Sequence, residues 1–248
     1  MRSTSNRLLL AIAAKAPIPG LVKTRFCPDL TTEEATALYR CFLEDIRAEM
    51  GSLTGIDRAL YYTPADAADY FTAFKKKGFQ LFPQTGTGLG ERQNNIFMQQ
   101  SAEGYDAITL IGSDSPDLPR SIVKSSFALL ASGQADAVFG PSSDGGYYLV
   151  GLRRPQPQLF RNIPWGTNDV LEKTLKAAEK SGLKTKLLEM REDLDTFDNL
   201  SAYFRRHKCQ PSDNRRVGQQ TFAFLSGLAN RTGCFSHKRS QGTSAYRS

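Results

Sequence analysis

An α/β fold with a mostly parallel central sheet, helices layered on both faces, is what this 248-residue sequence predicts. Three observations carry the prediction. Apolar runs of strand length alternate with stretches of helical periodicity, the pattern of successive βαβ units. Three of those runs end directly on loops rich in Gly, Pro, Ser and charge, at 15–25, 112–119 and 140–146. With 40% hydrophobic and 10% aromatic residues, the chain has material for one large domain or two small ones.

Residues 8–14 form the first strand. Arg2 and Arg7 precede this apolar run and Lys15 follows it at once, so seven residues serve a strand better than a signal peptide. Thr31 and Glu34 fit a capping box, and Ala35, Leu38, Tyr39, Phe42, Leu43 and Ile46 then recur at helical spacing. Strand 59–63, helix 66–76 and the short strand 79–82 follow. Helix 89–102 leads to strand 107–111, and helix 121–130 to strand 135–139. Residues 147–151 are the next strand. Helix 167–181 starts at Thr167 as N-cap and places Val170, Leu171, Thr174, Leu175 and Ala178 on one side. Strand 184–188 is the last.

The α/β rhythm stops near Cys209, which divides the chain into an α/β unit at 1–208 and a basic C-terminal extension at 209–248. One more helix is expected at 219–228, with Phe222 and Leu225 on one face. From Asn230 onward the sequence is Arg, Lys, Ser, Gly, Gln and Thr with little apolar content, and disorder is expected.

The net charge of +7 points to nucleic acid at first sight, but its distribution argues otherwise. Residues 205–248 hold nine basic side chains and one acid, leaving the body at about −1, and a basic tail is usually solvated. No nucleic-acid partner is expected. Cys27, Cys41, Cys209 and Cys234 form no C-x-x-C pair, and the only histidines are His207 and His237, so no zinc site is expected, and free thiols in a cytoplasmic setting are. No run approaches the roughly 20 apolar residues of a membrane span.

The chemistry lies in the loops. The strand at 107–111 ends on Asp114 and Asp117. Carboxylates at the carboxyl end of a strand sit where α/β sheets bind ligands, and hard oxygens suit Mg²⁺ or Mn²⁺ on nucleotide phosphates. The bland reading is a helix cap. Loop 15–25 presents Lys15, Lys23 and Arg25, cations able to grip phosphate or to be merely solvated; it matches neither a P-loop nor a dinucleotide fingerprint. Gly86, Gly88 and Gly90 run into a helix beside Arg92, a pattern that serves an anion or ribose site or equally only a turn. In the loop after 139, Gly145 and Gly146 allow close approach, Asp144 offers a carboxylate to a hydroxyl, and Tyr147 or Tyr148 offers a stacking face; a hairpin turn with packed aromatics accounts for the same residues. Trp165, before Gly166 and Thr167, covers a substrate or joins the core. Asp193 and Asp195 alternate onto one side of an extended stretch, completing a metal site begun by Asp114 or capping a further helix.

Together these segments resemble bacterial rSAM/selenodomain-associated transferases, within the GT-A-type nucleotide-diphospho-sugar transferase superfamily. The resemblance rests on KAPIPGLVKTR at 15–25, TGLGER at 87–92, IGSDSPDLP at 111–119, GPSSDGGYYLVGL at 140–152, WGTNDV at 165–170 and DLDTFDNL at 193–200, and covers about residues 8–205. It implies a Rossmann-like α/β/α sandwich, a nucleotide in the crevice at the strand carboxyl ends and a divalent metal, Mg²⁺ or Mn²⁺. More distantly the pattern is similar to guanylyltransferases acting on the molybdenum cofactor or on 2-phospholactate. Their D-x-P-x-L metal aspartate corresponds to Asp114, and their second acidic ligand to Asp195, then Asp193. Phe197 stands where that wider pattern favours Pro, and Phe26 where Leu is commoner.

Two activities are expected. In the first, a metal-dependent glycosyltransferase uses a nucleotide-sugar donor: Asp114, Asp193 and Asp195 hold the metal, Asp114 and Asp144 serve catalysis, and Lys15, Lys23, Arg25, Gly88, Arg92, Gly145, Gly146, Tyr147, Trp165 and Thr167 bind the ligands. In the second, a nucleotidyltransferase joins an NTP to a phosphorylated acceptor and releases pyrophosphate. Either way the partner is a small-molecule acceptor.

Overall fold

Alternate side chains of β1 (Leu8–Lys15) go to opposite faces of a sheet that is covered on both. Leu10, Ile12 and Ala14 enter one apolar core, Leu9 and Ala11 the other. The computed structural model describes residues 6–27, 29–209, 217–232 and 235.

Helix α1 (Thr32–Met50) carries the expected capping box: the Thr31 side chain accepts from Glu34 N, and the Glu34 carboxylate accepts from Thr31 N. Next come β2 (Asp57–Thr63), the short α2 (Thr72–Lys76), β3 (Gln80–Pro83), α3 (Leu89–Ala102), β4 (Ala107–Ile111) and α4 (Arg120–Ala131). The chain continues through β5 (Ala137–Pro141), β6 (Tyr147–Leu152), α5 (Val170–Lys180), β7 (Thr185–Leu187), α6 (Phe197–Lys208) and α7 (Gln219–Thr232).

The seven strands lie in the order β3-β2-β1-β4-β6-β5-β7. All neighbours are parallel except β6, which runs antiparallel to β4 and to β5. Helices α3 and α5 supply Ile96, Phe97 and Ala178 to one core. The other core receives Phe42 of α1, Val123 and Phe127 of α4, Leu200 of α6 and Leu225 of α7. The fold is therefore the expected Rossmann-like three-layer sandwich.

Three details differ from expectation. The stretch 66–76 is helical only in its second half, after a 3₁₀ turn at Ala68–Phe71. Helix α5 starts at Val170 because the Thr167 hydroxyl donates to Pro164 O and closes a turn; Asp169, not Thr167, is its N-cap. The acidic segment near 195 does run into a helix, capped by a reciprocal Thr196–Asn199 box rather than by an aspartate. The disorder expected from Asn230 falls mostly on 233–234 and 236–248, outside the described residues; Asn230–Thr232 close α7. Among the described residues no helix is long and apolar enough to cross a membrane.

Candidate active site

In this strand order the chain leaves β1 toward β2 on one side and returns with β4 on the other. Between the carboxyl ends of β1 and β4 lies the switch point at which such sheets form a crevice. A cleft of about 560 Å³ opens there. β6 is antiparallel, so its first residues, Tyr147 and Tyr148, reach the same end and form one wall.

Nine of the residues singled out in the sequence line this cleft: Lys15, Lys23, Arg25, Arg92, Asp114, Tyr147, Tyr148, Asp193 and Asp195. Gly88, Asp144, Gly145, Gly146, Trp165 and Thr167 lie outside its lining. Asp144 is exposed at the tip of the β5–β6 hairpin, where its Oδ1 accepts from Gly146 N at 2.9 Å and from the Ser142 hydroxyl, closing the turn. Trp165 packs edge-on against Tyr147 and closely over Gly90; an added Cβ at Gly90 would stand 2.4 Å from Trp165 Nε1. Gly88 is the N-cap of α3. The Glu91 carboxylate accepts from Thr87 N and the Thr87 hydroxyl, which holds it below the usual carboxylate range. Arg92 donates through Nε to Gly86 O, so loop 85–90 is tied to the helix it precedes.

The floor of the cleft is an ion cluster. Lys23 Nζ lies 2.6 Å from Asp114 Oδ1 and 2.8 Å from Asp195 Oδ1, and donates to Leu194 O at 2.7 Å. Burial works against the charge on Lys23, but Asp114 and then Asp195 outweigh it and hold the ammonium above the ordinary lysine range. Arg25 Nη1 stands 3.7 Å from Asp195 Oδ2 with its side chain 74% exposed, a cation at the rim. Asp193 accepts from the Ser115 hydroxyl at 2.6 Å. Burial, only partly offset by that hydrogen bond, together with Asp114, Asp144 and Asp195, pushes the Asp193 carboxyl up to about 6. Tyr147 donates to Gln93 Oε1, and burial raises its phenol.

The two acidic loops are joined directly. Leu194 N donates to Asp114 O at 3.0 Å, and Arg191 Nη2 donates to Asp117 O at 3.1 Å. Asp117 faces away from the cleft into a network with Arg191, Arg206 and His207. Sequence reasoning passed over several contributors. Tyr39 was counted as core on α1, yet its hydroxyl accepts from Lys15 N and bonds Ser113 Oγ, fixing both loops; burial, then Asp114, pushes it up to about 12. Ser113 and Ser115 flank Asp114 in the sequence and could have been found by that adjacency. Arg191 and Gln84, which donates to Ala14 O and Tyr61 O across β1 and β2, left no such signal.

As to a metal, among the described residues no three His, Cys, Asp or Glu side chains converge to enclose one. Two carboxylates held within reach of a single ammonium, 45% and 36% exposed toward the cleft, form an all-oxygen pair. Such a pair fits Mg²⁺ or Mn²⁺, which commonly take one or two carboxylates and fill their coordination with water and substrate phosphates.

The family model described as an uncharacterized protein conserved in bacteria (DUF2064) matches residues 46–167. No curated protein matches the sequence. A candidate nucleotide-diphospho-sugar transferase from Desulfovibrio desulfuricans superposes with a TM-score of 0.84 at 31% identity, over 93% of this chain and 99% of that one. A cytidylyltransferase from Leptospira borgpetersenii gives 0.53 at 12% identity, over 95% of this chain and 99% of that one. A CMP:2-keto-3-deoxy-manno-octonic acid synthetase complexed with CTP gives 0.50 at 10%, over 82% and 99%. At such identities the last two establish likeness of fold alone.

Proposed function

Since this chain belongs to the family of the Desulfovibrio protein, within the nucleotide-diphospho-sugar transferase superfamily, we propose that it is a nucleotide-dependent transferase acting on a nucleotide-sugar donor in the β1–β4 cleft. The observation that carries this reading is the meeting of an acidic pair, Asp114 and Asp195, with the cations Lys15, Lys23, Arg25 and Arg92 at the switch point. Carboxylates and cations in one cleft suit a ligand that is itself a metal-bound polyphosphate.

Asp114 and Asp195, with Asp193 beside them, would hold Mg²⁺ or Mn²⁺. When bound, such an ion supplies charge stabilisation to the leaving diphosphate. Lys15 and Arg25, at the rim, neutralise phosphate oxygens, with Arg25 able to pair bidentately. Tyr147 and Gln93, bonded to each other, line the cleft, and Leu21 and Leu89, exposed there, offer apolar contact to a base or sugar. In glycosyl transfer the bond from the anomeric carbon to the diphosphate breaks. A bond from the acceptor oxygen to that carbon forms, the acceptor proton passes to a base, and a nucleoside diphosphate leaves. Asp144, exposed at the hairpin tip outside the cleft lining, would serve the acceptor side.

The number of cations favours a second reading. Four in one cleft suit a triphosphate, with an acceptor phosphate oxygen attacking the α-phosphorus and pyrophosphate leaving.

Thermal shift with UDP, GDP, CDP, their sugars and the four NTPs tests both, each ligand with Mn²⁺, Mg²⁺ or EDTA. A ligand that binds the native state raises the melting point by mass action. Metal-dependent stabilisation that disappears in Asp114→Ala is expected. The released product, nucleoside diphosphate or pyrophosphate, separates the two activities, and no shift with any nucleotide overturns both.

A further inference from the structure

Lys23 is built into the floor of the cleft rather than displayed in it. Its backbone is left-handed, φ 51 and ψ 34, a strained conformation that non-glycine residues seldom adopt. This turn, between Gly20 (φ 79) and the short helical turn Thr24–Phe26, carries the side chain inward. An ammonium has three N–H donors. Here they face three acceptors within 2.8 Å: Asp114 Oδ1, Asp195 Oδ1 and Leu194 O. The side chain is 6% exposed, and the rings of Phe26 and Phe42 stand 5.6 and 5.3 Å from Nζ. The cation is thus buried, saturated with acceptors and lodged between the two carboxylates best placed to hold a metal.

We propose that Lys23 is an internal competitor for the divalent cation: its ammonium holds the Asp114–Asp195 pair while the cleft carries no ligand, and a metal gains both carboxylates only when Lys23 leaves them. The inference rests on the metal-and-nucleotide reading above. A free cation must shed water and displace an ammonium that then keeps no anionic partner, only the neutral Leu194 O. A cation arriving with nucleotide phosphates gives the released ammonium new acceptors, so the second loss is made good by a charge-assisted bond. Metal and nucleotide therefore load together, and by linkage each raises the other's affinity by the same factor. The conformation of Lys23 is suited to this, because leaving the left-handed region relieves strain that the three hydrogen bonds now offset.

The experiment is a titration of the full chain with Mn²⁺ alone, read by the EPR signal of the free aqueous ion. Wild type, Lys23→Met, Lys23→Gln and Lys23→Met/Asp114→Asn are compared, each shown to be folded by its melting curve. Lys23→Gln keeps a donor without the charge and stands in if Lys23→Met does not fold. Both single variants are expected to bind Mn²⁺ at least tenfold more tightly than wild type, and the double variant to lose that gain. Adding a nucleoside diphosphate is expected to tighten Mn²⁺ binding to wild type far more than to Lys23→Met. Equal Mn²⁺ affinity in wild type and both single variants overturns the role of Lys23 and leaves the metal reading standing. No Mn²⁺ binding by any of them, with or without nucleotide, overturns both.

Discussion

Asp45, in the last third of α1, accepts the backbone N–H of Thr221 at 2.8 Å across 176 positions of chain. Its other oxygen accepts the N–H of Gln220, also at 2.8 Å. One carboxylate thus satisfies two of the donors that every helix leaves open at its start, and it does so for α7 from another element. Thr221, Leu225 and Leu228 are buried along the face that α7 turns inward. Desolvation raises the Asp45 carboxyl above its usual range, against the pull of those two amides. We therefore read 217–232 as part of the folded unit. Asp45→Ala is expected to lose about 1–2 kcal/mol, the range of a lost cap or of hydrogen bonds to a charged group. Hydrogen exchange should show the loss concentrated in the first turn of α7. Unchanged protection at Gln220 and Thr221 would mean that the packing of Leu225 and Leu228 alone holds the helix.

The parts legible in the sequence are those decided by near neighbours. The Thr31–Glu34 box, the alternation of β1 and the periodicity of α1 each involve residues within a turn or a strand of one another, and each is found. Thr167 fails because a competing acceptor, Pro164 O, lies just upstream and takes its hydroxyl. Asp45 carries no signal: a carboxylate on a long helix looks solvated until its partners arrive from the far end of the chain. Lys23 shows a subtler gap. Its charge and its loop could be read, but its bonds to Asp114 and Asp195 join three loops that only the sheet order brings together.

Cys41 offers a pH-dependent readout of the same region. Burial first, then the charges of Asp45 and Glu44, push its thiol up to about 11. The thiolate is the reactive form, and its fraction rises tenfold per pH unit, so at pH 8 it is about one thousandth of the total. Alkylation of Cys41 is expected to be slow at pH 8, to accelerate steeply toward pH 10.5, and to lag behind that of exposed Cys209. Peptide mass spectrometry after brief iodoacetamide treatment checks this. Asp45→Ala should bring Cys41 labelling forward to lower pH, since one of the opposing charges is gone.

Two glycines separate backbone strain from collision. Gly145 has φ +87, and a Cβ added there would stand 2.0 Å from Asn168 O. Its own carbonyl accepts from Leu171 N, so the hairpin is pinned against the start of α5. Gly55 has a similar φ of +73 but no atom within 4 Å of the added Cβ. Gly55→Ala is expected to cost only the conformational term, about 1 kcal/mol, whereas Gly145→Ala pays that and must also separate two backbones, about 3 kcal/mol or more. Urea midpoints of the two variants measure the difference. Equal midpoints would show that the hairpin moves freely from Asn168.

Arg191 ties the segment bearing Asp193 and Asp195 to the loop bearing Asp114. Its Nη2 donates to Asp117 O and stands 3.4 Å from Asp117 Oδ1, and its Nη1 donates to Glu189 at 3.0 Å. Its backbone is held separately, by Pro141 O and by Ser143 N. Arg191→Met therefore removes the clamp and leaves the chain path in place. Asp117, only 12% exposed, keeps Arg206 and His207 nearby, so the variant should fold with a loss of about 1–3 kcal/mol, less than for an abandoned buried charge. The acidic loops are then joined through Leu194 N, Lys23 and the Ser115–Asp193 hydrogen bond, and the spacing of Asp114 and Asp195 is less well defined. Under the proposed function, the nucleotide-induced rise in melting temperature should shrink by more than the loss of stability accounts for. An undiminished ligand shift beside a lowered melting point would assign Arg191 to stability alone and leave the geometry of the acidic pair to Lys23.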